Sequence, residues 1–75
     1  MDRARLRWKC RRGMKELDVL LERFLQQGYD DLSDTQRQMF LALLELEDPD
    51  LYALLIDQQA PKEEGWKDVI ESIRR

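Results

Sequence analysis

The stretch Arg11-Arg12-Gly13-Met14-Lys15-Glu16 gathers cations and a carboxylate around a residue with no side chain. Those groups suit recognition. Charged donors and acceptors form strong, directional hydrogen bonds to another molecule, and a glycine lets a foreign backbone come close. The stretch would then be a shallow charged notch. The plain alternative is a turn between two helices. Gly13 would separate them, since a glycine inside a helix costs about 1 kcal/mol relative to alanine. Glu16 would sit in the first turn of the second helix, where its charge meets the helix dipole. That alternative accounts for both residues but not for the crowding of Arg11 and Arg12 at one corner.

Other chemistry is scarce. The chain has no histidine and a single cysteine, Cys10. A Cys/His zinc site and a Ser-His-Asp triad are therefore excluded, and without a disulfide framework a reducing compartment is expected. Gly13, Gly28 and Gly65 are the only glycines, too few for a dinucleotide fingerprint or a phosphate loop. Asp30–Asp31 and Glu63–Glu64 are close acidic pairs, read here as solvated charge near helix starts. A glycosidase-type pair also needs a cleft that short helices hardly provide. No catalysis is expected.

Charge is divided along the chain. Residues 1–15 carry seven Lys or Arg against Asp2 alone, a net +6, and the remainder is net −9, leaving −3 overall. Such a dipole favours docking onto a partner of matching polarity. Arg3, Arg5, Arg7, Lys9, Arg11, Arg12 and Lys15 could neutralise phosphates. The acidic remainder and a pI near 4.9 weigh against a nucleic-acid binder, and snorkelling side chains on an exposed first helix are the favoured reading. Trp8 lies two residues from Leu6 and from Cys10, so on a helix it faces away from both. It is either a partial lid on the core or an exposed anchor of the kind enriched at binding hot spots. Cys10 beside Lys9 and Arg11 could be a reactive thiol, but an inert thiol on the Leu6 face is favoured.

The elements that position these residues follow from size and spacing. Seventy-five residues, 43% hydrophobic and 39% charged, suit one small soluble domain over residues 1–75, near the lower limit for an unaided core. No apolar run approaches the roughly 20 residues of a membrane span, so no membrane insertion is expected. The arginine-rich start lacks serine and runs unbroken into the notch, unlike a transit peptide, so an unprocessed, cytoplasmic chain is expected.

Leu17, Leu20, Leu21, Phe24 and Leu25 form one stripe of a helix from about Met14 to Gln27, with Gly28 as its C′ residue. Ser33 and Gln36 make a capping-box pattern opening a helix striped by Met39, Phe40, Leu43 and Leu44. Asp48 as N-cap and Pro49 as first helical residue begin another, burying Leu51, Leu54 and Leu55. Pro61 marks a loop before a last stripe of Trp66, Val69, Ile70 and Ile73. Leu6 and Cys10 share a face of a short first helix ending near Arg12. The expectation is an all-α, compact five-helix bundle.

Arg12-Gly13-Met14-Lys15-Glu16 also matches an RGxxE pattern. With "WKCRRGMKELD", "YDDLSD" and "LLELEDPDLY" in that order, the chain resembles the succinate dehydrogenase flavinylation factors, or FAD assembly factors, over about residues 3–56. The last helix resembles nothing specific, and Leu54 stands where many relatives carry a tryptophan. The resemblance implies a five-helix bundle that binds the flavoprotein subunit of succinate dehydrogenase, and often of fumarate reductase. It implies promotion of covalent FAD attachment to a histidine of that client, with no cofactor held tightly by the factor itself. The motif residues carry over to Arg12, Gly13 and Glu16, with Arg11, Trp8, Arg5 and Met14 completing the expected partner-binding surface on a monomer. The alternative is a small nucleic-acid-associated regulator, or an antitoxin-like protein, working through the basic first helix.

Overall fold

Local spacing closes into helices much as the side chains demand. In the computed structural model, which describes residues 2–75, the order is α1 (Arg3–Lys9), α2 (Lys15–Gln27), one 3₁₀ turn (Tyr29–Asp31), α3 (Asp34–Leu44), α4 (Asp48–Leu55) and α5 (Trp66–Arg74). Among the described residues there is no strand. The expected all-α five-helix architecture is what the chain adopts.

Asp2 caps α1 by accepting from the Arg5 N–H at 2.9 Å. The helix ends at Lys9, earlier than the spacing predicts. The Arg12 N–H donates to the Asp18 carboxylate at 2.6 Å instead of continuing the ladder, and Gly13 follows with a left-handed φ of 81°. α2 begins one residue later than expected, with Met14 as its extended N-cap. Its C-cap, Gly28, has φ −128° and is no left-handed C′ residue. A Cβ there would lie 2.9 Å from the Phe24 ring, and that contact is what a side chain would disturb.

Ser33 caps α3 with both halves of the predicted capping box, accepting from the Gln36 N–H at 3.1 Å and donating its own N–H to the Gln36 side chain at 2.9 Å. α4 is capped by Glu47, not Asp48. Pro49 then falls on the second helical residue, whose missing N–H would still lack an intrahelical partner. Asp48 is drawn elsewhere, to the Arg12 guanidinium.

The helices share one apolar core. Leu6, Leu17, Leu21, Phe40, Leu43, Leu51, Val69 and Ile73 are essentially sealed from solvent, and no polar or charged residue is buried among those described. Phe40 stands between the Phe24 and Tyr29 rings, with centroids 5.2 and 5.6 Å away. α5 packs on α2, α3 and α4 through Val69, Ile70 and Ile73. Leu20, Met39 and Leu54 are only half-buried.

Past the end of α4, Gln58 holds φ at 59°, a conformation that costs an L side chain about 1–2 kcal/mol and a glycine only its larger loss of chain entropy, about 0.5–1 kcal/mol. Gln58→Gly should therefore stabilise the fold by about 0.5–1 kcal/mol in urea unfolding. A loss of stability would show that the Gln58 side chain outweighs its backbone strain.

Candidate functional site

The corner between α1 and α2 is built by two opposed demands. Gly13 needs its left-handed backbone, and its surroundings are bare: it is exposed, and an added Cβ would meet nothing within 4 Å. Glu16, one turn of helix later, projects into solvent with no cation within ion-pair distance among the described residues. Met14 between them is half-buried and packs against the core.

Arg12 does the opposite. Its side chain is only 14% exposed. The guanidinium donates to the main-chain oxygens of Leu44 and, at 3.3 Å, Leu46, and meets the Asp48 carboxylate at 3.4 Å. Those carbonyls belong to the last turn of α3 and the turn after it, where backbone oxygens lack intrahelical partners. Arg12 is thus a cross-brace tying the α1–α2 turn to the α3–α4 junction. Its Nε is buried without a partner, so the brace uses one edge of a planar fork.

The other basic residues divide in the same way. Arg3 grips Asp30 through both carboxylate oxygens at 2.9 and 3.0 Å and lies over the Tyr29 ring. Arg7 pairs with Glu22 at 3.7 Å and Lys9 with Glu45 at 3.0 Å. With Arg12 on Asp48, four of the seven cations fasten the basic head to the acidic body. The side-chain cations of Arg5, Arg11 and Lys15 have no carboxylate within 4 Å among the described residues. Trp8, which sequence could not place, is 75% exposed. Arg5, Trp8, Arg11, Gly13 and Glu16 therefore face solvent, whereas Arg12 is braced inside and Met14 is partly covered.

Asp18 and Asp48 are working residues that sequence reasoning missed as such. Asp18 holds the Arg12 N–H and Asp48 its guanidinium. Asp18 lies in the first turn of α2, where an acid is expected anyway, so nothing in the spacing marked it.

Cys10 closes the inner side of the corner. It is buried beside Leu6, and burial pushes its thiol up from 9.0 to about 11, with Arg12 pulling down less strongly and Asp18 pushing further up. A thiol so raised is almost wholly protonated at neutral pH and poorly nucleophilic. Burial favours the neutral form, so its contribution to stability is full below pH 9.0 and disappears as pH climbs toward 11. The loss is about 2–3 kcal/mol at 1.36 kcal/mol per tenfold change in acidity. Urea unfolding should show wild type losing that margin over Cys10→Ala between pH 8.5 and 11. A constant margin across that range would contradict the burial argument.

Comparison with known proteins places this corner in context. A family profile described as "Flavinator of succinate dehydrogenase", Sdh5, matches residues 4–75. A protein named FAD assembly factor SdhE from Idiomarina loihiensis is 48% identical over 69 residues, covering 92% of this chain and 77% of the relative. Its namesake in Yersinia pseudotuberculosis is 40% identical over 97% of this chain and 83% of the relative. That of Shewanella oneidensis is 57% identical over 53 residues, 71% of this chain and 65% of the relative.

Proposed function

The chain belongs to the Sdh5 family, the flavinators of succinate dehydrogenase, and we propose on that footing that it docks through its α1–α2 corner on the flavoprotein subunit and promotes covalent attachment of FAD there. The observation that carries this reading is the corner's geometry. Gly13 and Glu16 are presented bare and unpaired, while Arg12, the third motif residue, holds the turn from within. The expected charge-assisted bond from Arg12 to a client is replaced by internal bonds, and Arg5, Arg11 and Glu16 remain as the charged contacts.

The chain's part is orientation rather than chemistry. It contains no histidine, so the residue that receives the flavin belongs to the client. Without a dinucleotide fingerprint it is not built to enclose FAD, and the flavin travels with the client. Docking would favour the client arrangement in which histidine and flavin ring are held at reacting distance, a gain in effective concentration. The protein itself would be non-catalytic, monomeric and cytoplasmic, and its clients would extend to fumarate reductase. No helix is long and apolar enough to cross a membrane among the described residues.

The nucleic-acid alternative is weakened by the same geometry. With four of its seven basic residues paired to the body, the head keeps only Arg5, Arg11 and Lys15 free to neutralise phosphates, which gives little affinity at physiological salt.

Co-expression with the flavoprotein subunit, reading in-gel flavin fluorescence of the denatured client, tests the proposal. Bright client bands only when this chain is present are expected. Equal covalent flavin with and without it would reject the role.

A further inference from the structure

Beyond Glu16 the surface of α2 falls into a groove of about 410 Å³ lined by Lys15, Glu16, Val19, Leu20, Arg23 and Ile56. Val19 is 59% exposed, whereas Leu17 and Leu21, two residues to either side, are fully buried. Valine is a weaker helix former than the long polar residues that usually occupy an exposed helical position, and here nothing in the fold covers it. Leu20 and Ile56, both half-buried, form the floor and rest on the core. The groove begins at the motif itself, since Lys15 and Glu16 are shared with the corner.

Its ends are basic. Lys15 has no carboxylate side chain within 4 Å among the described residues, and the Arg23 guanidinium donates to the main-chain oxygen of Arg75 at 2.5 Å, with no Asp or Glu side chain in ion-pair distance. Most of the head's cations are neutralised by acidic side chains of the body, so a cation with no acidic side chain paired to it at each end of an apolar trough is a departure from the molecule's own pattern. Eight helical steps separate the two, roughly 12 Å at 1.5 Å per residue. An extended chain covers that in about four residues, and its alternate side chains at i, i+2 and i+4 point to one face.

Resting on the docking reading above, we infer that this groove receives an extended segment of the same client. An apolar side chain would sit over Val19, Leu20 and Ile56, flanked two residues to each side by carboxylates that meet Lys15 and Arg23. The corner and the groove together make one interface along the first two turns of α2, and the groove supplies the apolar burial that a purely charged notch lacks.

The test is affinity of purified variants for the purified flavoprotein subunit, measured by calorimetry beside each variant's thermal midpoint. Val19→Glu changes an exposed residue and should leave the midpoint within a few degrees while weakening binding at least tenfold. Lys15→Glu places an acid in the first turn of α2, where the helix tolerates it, and should weaken binding about fivefold. Gly13→Arg is run alongside as the probe of the corner. Loss with Gly13→Arg but unchanged affinity for Val19→Glu and Lys15→Glu would overturn the groove and leave the docking reading standing. Loss with Val19→Glu but not Lys15→Glu or Arg23→Glu would overturn the acidic flanks. Unchanged affinity in every variant would overturn the docking reading and the groove together.

Discussion

Gly13→Arg is expected to abolish covalent flavin in the co-expressed client while the variant remains a folded helical bundle. Two quantities decide this. An added Cβ meets no atom within 4 Å, so there is no clash inside the molecule. The cost is the left-handed backbone at φ 81°, about 1–2 kcal/mol for any L side chain. For a domain this small that lowers the thermal midpoint by roughly 4–16 °C, so a bundle with an ordinary midpoint of about 45–65 °C stays folded in co-expression at about 20 °C. The arginine side chain then occupies the space above Gly13 that a docking partner would need. Gly13→Ala separates the contributions: it carries the same backbone cost with little bulk, so its midpoint should match that of Gly13→Arg while much of its activity survives. Full client flavin with a folded Gly13→Arg variant would disprove the docking corner.

Arg12→Ala should damage fold and function together, which sets it apart from Gly13→Arg. Removal of the guanidinium leaves the Leu44 and Leu46 carbonyls and the Asp48 carboxylate without their donor. Each poorly solvated orphan costs about 1–3 kcal/mol. With water admitted to the partly open site, a net loss of about 3 kcal/mol is reasonable against a total near the low end of 5–15 kcal/mol. The midpoint should drop by roughly 12–24 °C, and client binding should fall because the turn carrying Gly13 is no longer tied to α3 and α4. Arg12→Lys keeps the charge but cannot span several acceptors with one ammonium, and should recover less than half of the lost stability. A midpoint for Arg12→Ala within 3 °C of wild type by circular dichroism would show that the brace is not formed in solution.

The helices were legible because their determinants are local. The Leu17–Leu25 stripe, the Ser33–Gln36 reciprocal cap and the Val69–Ile73 stripe each lie within two or three turns of chain, and each turned out where spacing puts it. Cys10 was readable as buried for the same reason, four residues from Leu6 on one face. What spacing could not reach was the destination of Arg12. Its acceptors lie 32 to 36 residues away, and an arginine in a motif looks the same whether it points outward or in. The α4 cap was misplaced by one residue for a related reason, because Asp48 answers to that distant guanidinium rather than to its own helix. Trp8 was undecided because solvent exposure of a tryptophan depends on what the bundle leaves uncovered.

The attachment of α1 sets where the molecule yields first. The seven-residue helix enters the core through Leu6, with Cys10 at its cap. Besides one Arg3 bond to the Leu25 main-chain oxygen at 3.3 Å, its fastenings are the largely solvent-exposed pairs Arg3–Asp30, Arg7–Glu22 and Lys9–Glu45, of the kind that contributes below about 1 kcal/mol apiece and weakens with added salt. Its amides should therefore exchange with deuterium well ahead of those in α2 and α5, through partial opening rather than global unfolding. The hinge for that opening lies at Arg11, ahead of the Arg12 brace, so α1 can swing while the contact corner keeps its shape.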